Sequence, residues 1–119
     1  MAAEVHPTAV VHEGTVLGEG VRVLEHAVVG KQPTLGPKST ARREPLPPTE
    51  IGAGTVISTG AVVFAGSTIG AGCIVGDQAC VRERVRIADD VVVGRGSLVE
   101  NDTAIGRGTG RWSCARSSG

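Results

Sequence analysis

An aliphatic residue returns every sixth position along almost the whole chain, and no other feature restricts the fold as much. Set out in sixes, the sequence reads VHPTAV, VHEGTV, LGEGVR, VLEHAV, VGKQPT and LGPKST, then, after a break, IGAGTV, ISTGAV, VFAGST, IGAGCI, VGDQAC, VRERVR, IADDVV, VGRGSL, VENDTA and IGRGTG. The first place is aliphatic in all sixteen. A period of six does not keep to one face of a 3.6-residue helix, and each internal Gly would cost a helix about 1 kcal/mol. Short strands joined by turns satisfy every place instead. The first place points an aliphatic side chain inward, the fourth, often Gly or Asp, tolerates positive φ, and the fifth is small because it sits at a crowded corner. With one Phe, one Trp, no Tyr and 18 Gly, the core must be filled by small branched side chains, which suits a narrow repetitive fold. The expectation is one all-β domain, a parallel β-helix over residues 1–110.

The pattern breaks over 41–50, ARREPLPPTE, whose three prolines and four charges mark an exposed excursion. If three hexads make one triangular coil, residues 18 apart stack, and the outward residue before each aliphatic describes each flat face. Counting LGPKST as a hexad gives three outward columns. The first is Glu4, Arg22, Glu50, Thr68, Arg86 and Ala104; the second is Val10, Val28, Val56, Ile74 and Val92; the third is Val16, Thr34, Val62, Cys80 and Leu98. Assigning all of 31–50 to the loop would instead stack Glu4 and Arg22 on Val56, Ile74 and Val92. The cleaner sorting favours a ten-residue loop, coils starting at Val5, Val23, Ile51, Ile69 and Ile87, and a fragment from Ile105. A continuous file of outward Val and Ile predicts that the second face, and part of the third, is covered by another chain, three prisms around a threefold axis being one way to bury it.

Twelve basic and twelve acidic residues cancel, which removes the electrostatic footprint of a nucleic-acid or anionic-membrane partner. No apolar run approaches the roughly 20 residues that span a bilayer, and MAAEVHPTA lacks the regions of a signal peptide, so a cytoplasmic location is expected. Cys73, Cys80 and Cys114 are odd in number and lack CxxC spacing, which indicates neither a disulfide framework nor a zinc site.

The hexads IGAGTV, IGAGCI, VGDQAC and VGRGSL resemble the repeat of the left-handed parallel β-helix acyltransferases, the bacterial transferase hexapeptide family. The resemblance covers the chain up to Thr109. It implies a left-handed superhelix, an exception to the usual right-handed crossover. It also implies homotrimers that transfer an acyl group from coenzyme A or acyl carrier protein to an amine or hydroxyl, often on a sugar, nucleotide sugar or amino acid, in a groove between neighbouring prisms. A His serves many members as general base. Where family members continue for more coils and end in a cap, this chain stops repeating after residue 110 and ends in RWSCARSSG, read as a non-repeat, disordered tail over 111–119. That departure resembles a shortened or degenerate relative. It leaves a second expectation, a non-catalytic module that self-assembles through apolar faces or stacks end to end through uncapped coils.

Of three histidines, His26 in VLEHAV is the first candidate base, because Glu25 precedes it and a turn presents its ring outward; His12 beside the apolar second face is the other. Lys31, Lys38, Arg42 and Arg43 are the candidates for meeting phosphates of coenzyme A or a nucleotide sugar. No metal is expected, since the histidines are spaced by six and fourteen within the first two coils and do not match a three-imidazole zinc site.

Overall fold

A computed structural model of the chain describes residues 2–32 and 46–106 in full and the backbone of 111–115. It is a parallel β-solenoid of five coils, each a triangle of short strands. Coil one contains β1 (Glu4–Val5), β2 (Val10–Val11) and β3 (Val16–Leu17), and coil two β4 (Arg22–Val23), β5 (Val28–Lys31) and β6 (Glu50–Ile51). Coil three has β7 (Val56–Ile57), β8 (Val62–Phe64) and β9 (Thr68–Ile69), and coil four β10 (Ile74–Val75), β11 (Cys80–Val81) and β12 (Arg86–Ile87). In coil five β13 (Val92–Val99) runs around one corner and β14 (Ala104–Ile105) completes the triangle. Every pairing is parallel, and the three faces stack as β1-β4-β7-β10-β13, β2-β5-β8-β11-β13 and β3-β6-β9-β12-β14. The superhelix is left-handed, as in the structures it matches.

The aliphatic first places are the core. Val23, Val29, Ile51, Ile57, Val63, Ile69, Val75, Val81, Ile87, Val93, Val99 and Ile105 are each at most 3% exposed. At roughly 1.5–3 kcal/mol per buried aliphatic side chain, this axial column is the main stabilising term. The fifth places seal the corners. Thr55 Oγ1 donates to Gly70 O at 2.7 Å and accepts from Cys73 N at 3.1 Å, so one hydroxyl joins two coils. Ser67 does the same with Arg82 O and Val85 N. Coils approach so closely here that a Cβ on Gly52 would stand 2.5 Å from Ala71 N and Gly70 C.

The register across the break differs from the sequence expectation. Arg22 pairs with Val56, Val28 with Val62 and Val16 with Glu50, each 34 residues apart, whereas uninterrupted coils stack at 18. The interruption therefore adds sixteen residues, not ten. Glu50 belongs to the third face, paired with Val16 and Thr68. The outward columns become Glu4, Arg22, Val56, Ile74 and Val92; Val10, Val28, Val62, Cys80 and Leu98; and Val16, Glu50, Thr68, Arg86 and Ala104. One face is apolar throughout, not two. The physical reason lies inside. In this register the inward columns are Val-Val-Ile-Val-Val, five Val, and Leu17 followed by four Ile, while the corner before the second face reads Ala9, Ala27, Ala61, Ala79 and Ser97. A size mismatch in such a core leaves voids or strain. An outward Glu4 and Arg22 cost almost nothing, being solvated and 3.8 Å from each other.

Residues 33–45 lie outside the described residues, and with them most of the loop placed at 41–50. The segment 111–119, read as a tail without structure, contains at Arg111–Ala115 a strand, β15, that pairs in parallel with β13. Its backbone extends the first and second faces by one further rung, which the absence of a hexad in RWSCA did not announce.

Candidate functional site

The three corners of the prism carry different chemistry. The corner between the third and first faces is built mostly of Gly, Ala and Asp, with Glu19 in the first coil. The corner between the first and second faces carries His6, Glu25 and His26. His26 takes the fourth place of its hexad at φ 58°. Its backbone N–H donates to Thr8 Oγ1 at 3.0 Å. The Thr8 backbone N–H donates to His6 Nδ1 at 3.1 Å, and the Thr8 hydroxyl lies 2.9 Å from the same nitrogen. His6 Nδ1 is thus an acceptor, which assigns the proton to Nε2. Such a ring has a turn-forming role. Backbone hydrogen bonding holds the Glu25 carboxyl below the usual carboxylate range, with further lowering from His6, Thr59 and His26. Glu25 beside His26 is therefore a carboxylate near neutral pH.

His12 lies at the opposite edge of the second face, at the corner with the third. It stacks beneath Gly30, at φ 85°, where a Cβ would press on Thr15 Oγ1 and stand 3.4 Å from His12 Cβ. Lys31 follows directly. The interruption leaves the solenoid at this corner, and its base is tied. Gln32 Nε2 donates to Leu46 O at 3.1 Å while Leu46 N donates to Gln32 Oε1 at 2.9 Å, so one side-chain amide pairs with a peptide as another strand would. Gly66 N donates to Pro47 O at 2.7 Å. The structure therefore brings His12, Lys31 and the loop base to one corner and leaves His26 at another. Lys38, Arg42 and Arg43 lie outside the described residues.

Sequence reasoning missed two members of this corner. Phe64 in coil three stands between Lys31 of coil two and Arg82 of coil four, with Lys31 Nζ 5.6 Å and Arg82 Cζ 4.5 Å from its centroid. Arg82 Nε donates to Glu83 Oε1 at 2.9 Å. Burial pushes the Glu83 carboxyl up, but the Arg82 bond, its own backbone N–H and the Arg82 and Arg84 charges outweigh it, so it lies below the usual range. On the third-face side of the loop base, Leu46, Pro47, Gly66, Arg84, Arg86 and Asp102 line an open groove of about 510 Å³, within the size range of small-molecule sites. Arg84 and Asp102 close one wall as a two-bond ion pair at 2.6 and 3.0 Å. Among the described residues, no three His, Cys, Asp or Glu side chains are grouped to hold a metal ion, and no helix is long and apolar enough to cross a membrane.

The five-coil triangular prism with one corner excursion is the fold of the hexapeptide-repeat acyltransferases, and the structures that match this chain belong to that class. One is a histidine-to-alanine mutant of GDP-perosamine N-acetyltransferase from Caulobacter crescentus in complex with CoA and GDP-perosamine: 28% identity over 87% of this chain and 50% of that one, TM-score 0.53. The acetyltransferase domain of PglB from Neisseria gonorrhoeae matches with TM-score 0.61 and 19% identity, covering 91% of this chain and 53% of the other. A UDP-N-acetylglucosamine acyltransferase from Bacteroides fragilis matches with TM-score 0.54 and 19% identity over 95% and 55% of the two chains. The latter two share the fold. The chain spans about half the length of each. No protein-family model matches it, and no curated protein does.

Proposed function

We propose that this chain is an acyltransferase of the hexapeptide-repeat type, using a coenzyme A thioester to acylate an amine or hydroxyl of a sugar or nucleotide-sugar acceptor. The observation that carries the reading is the corner where His12, Lys31 and the tied loop base meet beside the apolar second face. The 28% likeness to an N-acetyltransferase holding CoA and GDP-perosamine supports the choice of chemistry. His12 takes the acceptor proton as the acceptor attacks the thioester carbonyl. The C–S bond breaks, and the thiolate leaves and is protonated to free coenzyme A. Lys31, with Lys38, Arg42 and Arg43 of the excursion, meets ligand phosphates. His26, at the other edge of the second face, is the second candidate base. The column Val10, Val28, Val62, Cys80 and Leu98 supports a homotrimer, since contiguous apolar surface of this kind is normally covered. In a trimer the groove of one protomer is walled by the next.

The test is thiol release from acetyl-CoA by purified protein over a panel of amino-sugar nucleotides, with mass spectrometry of the acceptor. Acetylation that falls at least 100-fold in His12→Ala and survives in His26→Ala supports the assignment. The reverse pattern moves the base to His26, and no turnover with any acceptor rejects the enzyme reading.

A further inference from the structure

The corner at which the excursion leaves the prism contains a cation–aromatic–cation stack that proton transfer does not use. Phe64 occupies the second place of its hexad, at the end of β8, and is only 7% exposed. Its ring is covered by Lys31 from the coil below and Arg82 from the coil above. Lys31 pairs directly with Phe64 across β5 and β8. Arg82 is 18 residues beyond Phe64, one coil on. Their backbones are two coil heights apart, roughly 10 Å at the spacing of stacked strands, and the head groups, 5.6 and 4.5 Å from the ring centroid, are at most about that far from each other. A phenyl ring between them attracts both and keeps them from direct contact.

We propose that Arg82 and Lys31 form an oxyanion clamp that selects ligands carrying more than one phosphate group. Arg82 is oriented before any ligand arrives. Its guanidinium carbon stands over the Phe64 ring at 4.5 Å, and its Nε–H is taken by Glu83, whose side chain is 9% exposed. The terminal nitrogens, with the side chain 37% exposed, are the fork that meets a phosphate in bidentate fashion. Glu83 cancels one charge but lies inside the corner, so its main effect on a ligand is to fix the fork. Lys31 supplies the second, movable point charge. A lone carboxylate cannot bridge roughly 10 Å, whereas a diphosphate or a diphosphate with a further phosphoester can reach from one cation to the other. Only the identity of the ligand rests on the acyltransferase reading, because the phosphates can belong to coenzyme A or to the diphosphate of a nucleotide-sugar acceptor.

Calorimetry with the full chain separates these sources. The variants are Arg82→Lys, which keeps the charge and loses the fork, and Lys31→Gln, with the near-ultraviolet spectrum checking that the fold is kept. A loss of about 10- to 100-fold in affinity for coenzyme A, with guanosine diphosphate unaffected, assigns the clamp to the acyl donor. The same loss for guanosine diphosphate alone assigns it to the acceptor. Unchanged affinity of both variants for both ligands overturns the clamp. If the wild type binds neither ligand, the acyltransferase reading fails, and inorganic pyrophosphate becomes the probe. A saturable shift of the Arg82 Nε–H resonance that is abolished in Lys31→Gln then upholds the clamp, and no shift overturns it.

Discussion

Replacing Val16 and Glu50 by cysteine places two thiols on paired positions of β3 and β6, the first rung that spans the interruption. Both residues point outward and are exposed, Val16 by 54%, so neither substitution disturbs the core. Stacked parallel strands lie about 4.8 Å apart, inside the Cα separation that a disulfide spans. The bond would close a loop of 34 residues, the separation of the two positions. The chain-entropy expression then gives about 4 kcal/mol of stabilisation, less any strain. For a solenoid of this size that is a rise in melting temperature on the order of 15–30 °C. Cys80 and Cys114 are first changed to serine, while buried Cys73 is left in place. Thiol titration and melting with and without reductant report the bond. The control pair is Arg22 with Glu50, which a ten-residue break would stack but which here lies on two different faces. If the control pair oxidises and stabilises while Val16 with Glu50 stays reduced, the register is wrong and the functional corner is misassembled.

Three further outcomes follow from particular contacts. Gly52→Ala forces a Cβ to within 2.5 Å of the next coil's backbone and should cost about 2–3 kcal/mol in urea denaturation, whereas Gly54→Ala, with nothing within 4 Å, should cost only the roughly 1–2 kcal/mol of its left-handed φ. The Glu83 carboxyl is lowered in the folded state, so its contribution is present above the unfolded carboxylate pKa and is lost as pH falls through the folded value. Below a pH of about 4.3 the urea midpoint of Glu83→Gln should therefore decline less steeply than that of the wild type. Val62→Lys puts a charge at the centre of the apolar second face; sedimentation should show the proposed trimer in the wild type and monomer in the variant, and an unchanged mass would remove that face as the interface.

How much of this was legible in the sequence depends on which residues are considered. The six-residue period identified the inward aliphatics of the first places, because burying an aliphatic there is the dominant energy of the fold, whereas Val21, Val85 and Val91 join the core from fifth places. It also identified the turn places that hold Gly54 and His26 at positive φ. The register across the interruption was misjudged because outward columns were compared. The discriminating signal was inward, in the runs of Val and of Ile, where packing punishes mismatch. With that register unknown, Phe64 and Arg82 were unremarkable residues, since only stacking sets Phe64 between Lys31 and Arg82. The Gln32 clasp on Leu46 has no sequence pattern, because a side-chain amide pairing with a peptide needs two chain segments already in place. For the candidate site, the types His and Lys were readable, whereas the grouping of His12 rather than His26 with Lys31 required the coil geometry.

The central claim is that ligand binds at the corner of His12, Lys31 and Arg82. Titrating isotope-labelled protein with coenzyme A and following backbone and side-chain resonances tests it most directly. Saturable shifts are expected at His12, Lys31, Phe64 and Arg82, with His6 and His26 unmoved. Shifts centred on Glu25 and His26 instead would contradict it.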